Sequence, residues 1–405
     1  MEEYKYLKFK ERKNTDCMKW DGMEKQFGRD DLFPAWVADM DIESPECVRK
    51  ALSEYVDFNV HGYYCQPKEF LDSFISWMKK YHNYEPDREW IRFAPGVVPA
   101  IYWSIQMLTD VDDSVAIMPP VYYPFENAIR DTSRTLVTVP LIRKAGRYYM
   151  DLAAFEEKVV RKKVKVFILC SPHNPVGRVW TEEELRGVMD ICRKYNVFVI
   201  SDEIHHDLIP GDVPQTTAAS LTDYESILIT LTSASKTFNL AGCQNAFVII
   251  QNPALRAKYD AFTRRIGSRS GSNFGYVAYR AAYEEGRPWL EELNQLIRSN
   301  FEILRKGLRF ALPQAYVTPL EGTYLAWVDL SPYMANRDTE RIVRDHCLLA
   351  VDFGEWFGGE EYKNFIRINL ATSPDNVREI VRRLETINEV VQINMNVEGL
   401  AQAEM

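Results

Sequence analysis

Nowhere in this chain of 405 residues does an apolar run reach the roughly 18 residues needed to span a bilayer as a helix. The opening MEEYKYLKFKERK is charged throughout and lacks the apolar core of a secretory signal, so no membrane association is expected and the cytoplasm is the expected compartment. Positive charge is not in surplus either. With 49 Lys and Arg against 58 Asp and Glu the formal charge is −9, which gives no general attraction for nucleic acid or an anionic lipid surface. The seven cysteines, Cys17, Cys47, Cys65, Cys170, Cys192, Cys243 and Cys347, include no Cys-x-x-Cys pair, so zinc-ribbon and dithiol redox motifs are absent. Odd in number and scattered, they read as reduced thiols, with Cys170 and Cys192 serving as small hydrophobes in apolar stretches. No internal repeat, low-complexity tract or Pro/Gly/Ser linker divides the chain, so two domains, if present, are interleaved.

What is present is the composition of a folded globular protein, with 46% hydrophobic, 26% charged and 13% aromatic residues. The length suits two domains. Between about residues 90 and 250, short apolar runs (IRFAPG, SVAIM, VKVFIL, VFVIS, SILITL) alternate with helical patterns (VPAIYWSIQML, a stretch near Tyr123 to Arg130, TEEELRGVMDICRKY). That alternation predicts an α/β domain with a mostly parallel sheet. Thr181 followed by Glu184 is a capping-box pattern that starts one of the helices. Beyond residue 285 a long helical pattern, the strand-like TYLAWVDL and NFIRINL, and a last helix from Pro374 to Asn388 predict a smaller α+β domain. The first fifty residues have no core of their own. The predicted division is a large domain over 50–285 and a small one from 1–49 with 286–405.

Ligands of open α/β sheets bind beyond the carboxyl ends of the strands, and five such ends carry polar chemistry. IRFAPG runs into Gly96-Val97-Val98-Pro99 at a helix start, where free N–H groups suit an anion, although a glycine before a helix is more often only a turn. Pro119 to Pro124 places Tyr122 and Tyr123 at a strand end, to stack on a planar ligand or simply to pack. The prolines of Ser171-Pro172-His173-Asn174-Pro175 aim the Asn174 amide, and the same residues also suit a plain turn. VFVIS delivers Asp202, Glu203, His205 and His206. The two adjacent histidines cannot both face one point on a regular element, so no metal is expected, and His205 by itself reads as a structural histidine. SILITL leads into Ser233, Ser235 and Lys236. Ser233-x-x-Lys236 matches a β-lactamase motif formally, but no Lys-Thr-Gly strand or Gly-x-Ser-x-Gly elbow accompanies it. No Gly-x-Gly-x-x-Gly follows a strand, so a dinucleotide site is excluded.

A lysine, a strand-end Asp, an Asn, an aromatic ring and a phosphate cradle are the parts that pyridoxal 5′-phosphate requires. Lys236 would hold the cofactor aldehyde covalently, Asp202 would keep the pyridine nitrogen protonated, and Asn174 would bond the phenolic oxygen. Tyr122 would stack on the ring, while Gly96, Val97 and Val98 with the Ser233 and Ser235 hydroxyls would hold the phosphate. Arg367 in NFIRINL would clamp a substrate carboxylate.

SPHNPVG, SDEIHHD, SASKTFNLAG and FIRINLA together resemble the class I/II aminotransferases of fold type I. WVADMD at Trp36 to Asp41, HGYY from His61, and DEIH, with His205 where ordinary aminotransferases carry tyrosine, resemble their branch of cystathionine β-lyases and cysteine-S-conjugate β-lyases. The resemblance covers nearly the whole chain. It implies a homodimer with a shared site, Tyr63 reaching the phosphate of the partner subunit, Ala38 at the substrate carboxylate and His205 among the cofactor contacts. It further implies α,β-elimination from a small sulfur-containing amino acid, with transamination as the alternative and a non-catalytic regulator disfavoured by the retained Lys236, Asp202 and Arg367. One departure stands out: eight residues after the lysine, where the family often has arginine, this chain has Gln244.

Overall fold

The computed structural model describes residues 4–268, 270–335 and 337–390. Its frame is a seven-stranded sheet built from β1 (Ile91–Ala94), β2 (Ser114–Ile117), β3 (Thr135–Thr138), β4 (Val164–Cys170), β5 (Phe198–Asp202), β6 (Leu228–Thr232) and β7 (Ala246–Ile249). The spatial order is β1-β7-β6-β5-β4-β2-β3. β3, β2, β4, β5 and β6 are parallel, and β7 alone runs antiparallel to both neighbours. The sheet is buried on both faces, which is why its strands read as continuous apolar runs. Alternate residues serve opposite sides: Val166 and Ile168 join one apolar cluster, Phe167 and Leu169 the other. β3 and β7 are additions to the sequence reading. Thr135–Thr138 is a half-exposed edge without a strong apolar pattern, and only the short turns Ala234–Thr237 and Ala241–Cys243, not a long crossover helix, separate Ala246–Ile249 from β6.

Helices α1 (Val97–Leu108) and α2 (Pro124–Asp131) follow β1 and β2, and α3 (Glu182–Lys194) follows β4. The predicted capping box is formed: the Thr181 hydroxyl accepts from Glu184 N, and the Glu184 carboxylate accepts from Thr181 N. Two helices flank the N-terminal part and were not anticipated, Glu46–Phe58 and Lys68–His82.

The second sheet is four-stranded and antiparallel, with β8 (Tyr316–Val317), β9 (Leu325–Asp329), β10 (Asp352–Phe353) and β11 (Phe365–Asn369) in the order β8-β9-β11-β10. Helices Arg287–Ala311 and Pro374–Glu385 pack against each other over Gly307, where an added Cβ would come within 2.8 Å of Val381. The N-terminal segment joins the two sheets. Phe33–Pro34 pairs in parallel with Leu349–Ala350. Just beyond, Asn369 Nδ2 donates to the Val37 and Asp39 carbonyls at 2.6 Å each, and Asn239 Nδ2 donates to Met40 and Ile42 at 3.0 Å each. Among the described residues no helix is long and apolar enough to cross a membrane.

Candidate active site

The carboxyl ends of the parallel strands open on a cavity of about 200 Å³ whose wall includes Lys236, Asp202, Asn174, Tyr122 and Ala38. Lys236 sits on a single helical turn, Ala234–Thr237, that begins directly after β6. Ser233 caps that turn by accepting from Ser235 N at 3.1 Å. The lysine Nζ donates to Ala38 O, which also accepts from the Tyr324 hydroxyl at 2.8 Å. Burial is the largest influence on Lys236 and depresses its amine to about 8, with the charges of Asp39 and Asp202 opposing that shift and Arg367 adding to it. A lysine so placed carries a substantial neutral fraction near physiological pH, which is what carbonyl addition requires.

Asp202 ends β5, in register with Cys170 on β4 and Leu231 on β6. Burial pushes its carboxyl up to about 7, against the hydrogen bond it accepts from Ile204 N at 3.0 Å and the attraction of Lys236. A carboxylate this poorly solvated is best satisfied by a cation placed in the cavity.

Asn174 is held on a tight hairpin. His173 N donates to Arg178 O at 2.7 Å and Gly177 N to His173 O at 2.8 Å. Arg178 locks the base, its guanidinium paired with Glu184 at 2.7 Å and Glu321 at 2.9 Å, donating to Tyr148 O, and stacked 4.5 Å over the Trp180 ring. His173 Nε2 reaches Pro120 O at 2.9 Å, tying this loop to the one that bears Tyr122. Burial lowers His173 to about 4, so it is neutral and its Nε2 carries the proton. Asn174 Oδ1 accepts from Arg367 Nη1 at 3.1 Å, which leaves the amide N–H groups of Asn174 for the cavity. Arg367 comes from β11 of the second sheet, so the site is assembled from both sheets. Its Nη2 donates to Asp352 and, at 3.4 Å, to Trp36 O, its Nε has no partner, and the guanidinium lies 5.0 Å over Phe357.

At the opposite end Gly96, Val97 and Val98 line the cavity at the start of α1. Gly96 has an extended backbone, φ 176° and ψ 165°, and serves as N-cap. The N–H groups of the first turn have no intrahelical acceptor and are free for an anion. Ser235 lies on the same wall, and Ser233 does not. The Ser233 hydroxyl is committed elsewhere, donating to Asn245 O at 2.6 Å and lying 2.9 Å from the Tyr279 hydroxyl. Ser233 thus caps the lysine turn and stands behind the cavity wall that Ser235 lines.

Gln244 is on the wall as well, and two further polar wall residues, Asn245 and Tyr279, escaped sequence reasoning. Both polar atoms of the Asn245 amide are buried without a partner. Gln244, in the left-handed region at φ 48°, stands on the wall where the family often has arginine. His205 also lines the cavity, buried, its Nδ1 unpartnered and its ring 5.8 Å from Tyr324 edge-on. Burial drives its basicity down, with Lys236 and Arg367 adding to the effect, so it is a neutral imidazole. Tyr63, expected beside a phosphate, is fully exposed and takes no part in the cavity of its own chain.

The second histidine turns away. His206 Nε2 contacts the Thr232 hydroxyl at 3.1 Å and Asp207 at 3.3 Å, and its ring stacks on His82 at 4.2 Å. His82, His206 and Asp207 are the metal-capable trio among the described residues. Asp207 is already saturated by Trp77 at 2.9 Å, His82 at 2.8 Å and Thr237 at 2.9 Å, a set of bonds that makes the trio a buried brace behind the lysine turn.

The unpartnered amide of Asn245, the free first-turn N–H groups, a poorly solvated carboxylate and a depressed lysine amine fit a phosphorylated, cationic aromatic aldehyde. Comparisons with known proteins point the same way. The family model described as aminotransferase class I and II matches residues 37–384. Cystathionine beta-lyase PatB of Bacillus subtilis is 36% identical over 380 residues, covering 92% of this chain and 98% of that protein. Protein MalY of Escherichia coli is 31% identical, covering 90% and 94%. Among solved structures, cystalysin from Treponema denticola, which contains pyridoxal 5′-phosphate, superposes with a TM-score of 0.91 at 32% identity, covering 96% of this chain and 100% of that one. A PLP-bound C-S lyase from Staphylococcus hominis gives 0.89 at 31% identity, covering 95% and 98%. With that family model spanning most of its length and relatives of this identity covering nearly all of it, this chain belongs to the class I and II aminotransferase family.

Proposed function

We propose that the protein is a pyridoxal 5′-phosphate-dependent carbon–sulfur β-lyase, cleaving L-cystathionine or a related S-substituted cysteine to pyruvate, ammonia and a thiol. The observation that carries this reading is the buried Lys236, its amine depressed to about 8 and facing one cavity with Asp202, Asn174 and Tyr122. Relatives named as cystathionine β-lyases and C-S lyases over nearly the full chain support elimination in particular. Bound there, the cofactor supplies an electron sink that acidifies the substrate α-carbon. Lys236 would anchor the cofactor and would serve as the base at the substrate α-carbon. Asp202 would hold its negative charge against the pyridine nitrogen. Asn174, its amide N–H free, would hold the phenolic oxygen, and Tyr122 would pack on the ring. Arg367 holds the substrate carboxylate, and the Ala38 carbonyl steadies the lysine amine. Gly96, Val97, Val98 and Ser235, joined by Gln244, Asn245 and Tyr279, hold the phosphate end. With no arginine at Gln244, neutral donors and the helix terminus carry that task.

We infer a homodimer in which Tyr63 reaches the partner's phosphate. Its full exposure beside exposed Val56, Phe58, Val60 and Phe274 supports that reading, since such an apolar patch calls for a partner. The division into a large domain of residues 50–285 and a small one from the remainder is part of the same proposal, supported by the two sheets falling within 91–249 and 316–369.

Product stoichiometry tests the activity. With L-cystathionine and cofactor-saturated enzyme, pyruvate, ammonia and thiol should appear in equal amounts with no 2-oxo acid added. Once the α-proton is gone, a good β-leaving group departs readily, whereas transamination needs reprotonation at the cofactor and a second substrate. Turnover that depends on an added 2-oxo acid and leaves the carbon–sulfur bond intact would assign an aminotransferase instead.

A further inference from the structure

Asp352 stands directly opposite Arg367 across the β10–β11 pair, and both side chains are almost wholly buried. The pair is an ion pair through Arg367 Nη2 and Asp352 Oδ2. Of the five N–H donors, one on Nη1 serves Asn174 and both on Nη2 serve Asp352 and Trp36 O, which leaves the Nε–H and the second Nη1–H. The guanidinium therefore already has one carboxylate where a two-point clamp would need both amino groups. Resting on the reading that Arg367 receives the substrate carboxylate, we propose that Asp352 is a built-in stand-in for it, neutralising Arg367 in the free enzyme and taking up one proton when the substrate carboxylate arrives.

The reasoning is electrostatic. Two carboxylates on one buried guanidinium leave a net negative charge out of water, and the least costly relief is to neutralise one of them. The groups facing Asp352 bear this out. Arg367 and Lys236 favour its ionised form, burial opposes it more strongly, and the net direction is upward. The neighbouring Tyr122 and Tyr123 hydroxyls feel the Asp352 charge and are themselves held protonated by burial, so they supply no compensating charge. When the substrate carboxylate takes over Arg367, the favourable partner of Asp352 is shared and burial prevails. The proton comes from solvent and rests on an Asp352 oxygen, and no other bond changes. Carboxylate binding should then weaken as pH rises. Asp352 is in this sense a gating residue, acting through Arg367.

The test uses holoenzyme and 3-(methylthio)propionate, which offers the carboxylate and the sulfur but no amine to displace Lys236. Calorimetric titration near pH 8 in two buffers of different ionisation enthalpy reads proton uptake. Any protonation of the lysine linkage, followed through the cofactor's absorbance, is subtracted. Native enzyme should take up close to one proton per probe bound, and Kd should rise towards about tenfold per pH unit above the titration. In Asp352→Asn the uptake should vanish and binding at pH 8 should tighten several-fold. Equal uptake in native and variant enzyme, or a variant that binds less tightly with unchanged pH dependence, overturns the proposal. Should Asp352→Asn fail to fold, the native stoichiometry decides: uptake near zero, or no binding of the probe, overturns it. An aminotransferase outcome in the product assay leaves this measurement intact, because it concerns only the carboxylate at Arg367.

Discussion

The depressed Lys236 amine makes a quantitative prediction about how the cofactor enters. Only the neutral amine adds to an aldehyde, so the rate of covalent attachment to cofactor-free protein should follow the deprotonated fraction of this one side chain. Burial brings Lys236 from 10.5 to about 8. At pH 7 a group titrating at 8 is about 9% neutral and one at 10.5 about 0.03%, so Lys236 should react about 300-fold faster than an ordinary lysine of equal access. The rate should climb about tenfold per pH unit below 7 and level off above 8.5 or so. Asp39 is the largest of the charges that hold the amine protonated, so Asp39→Asn should move the inflection to lower pH and raise the rate at pH 7. The assay is stopped-flow absorbance after mixing apoprotein with pyridoxal 5′-phosphate, with borohydride trapping and peptide mapping to identify the lysine. A rate that keeps climbing past pH 10, or label on a lysine other than Lys236, would refute the reasoning.

Asp202→Asn should separate stability from chemistry. The raised carboxyl, about 7 when folded against 3.8 when free, contributes stability below pH 4 that is lost as pH rises through 7, so the cofactor-free variant should melt higher than native protein at pH 8 and no higher at pH 4. The loaded variant should turn over far more slowly, because a neutral amide cannot hold the pyridine nitrogen charged; full turnover would remove that role. Arg178→Met should lower stability by roughly 3 kcal/mol, the low end for breaking a buried pair because Glu184 keeps some contact with water, and should speed cofactor loss through the loosened Asn174 hairpin. Thermal melting and dialysis against buffer check both, and an unchanged melting temperature would mean the hairpin is held by its backbone alone.

Much of this was legible because the sheet is buried on both faces. Strands β1, β2, β4, β5 and β6 announce themselves as apolar runs, and a polar residue directly after such a run has to lie at the sheet edge, which located Lys236, Asp202 and Asn174. Arg367 was found by the family resemblance and by its place in an apolar strand. What stayed hidden depends on register or on distant packing. Asp352 matters only because it falls opposite Arg367, and the two-residue strand that carries it has no pattern to read. Tyr279 reaches the site from helix Asn273–Glu285, 34 residues beyond the Asn245 carbonyl it bonds. The spacing of Ser233 and Ser235 could not say which hydroxyl the lysine turn would consume as its cap. β7 lacked the helix that makes a parallel neighbour predictable.

The segment around Trp36 and Ala38 has a consequence for how the protein is made. Trp36 O is bonded by Arg367, 331 residues downstream, and Val37 O by Asn369, 332 residues downstream. Closing loops of that length is slow, and the entropy of doing so is lost before any contact rewards it. During synthesis the lysine-bearing sheet can form, and the strap can reach Asn239 and Lys236, before the residues of β11 that fasten its other side exist. A nascent chain that stalls after Lys236 and before β11 therefore has the nucleophile without the clamp, and catalytic competence waits for that strand.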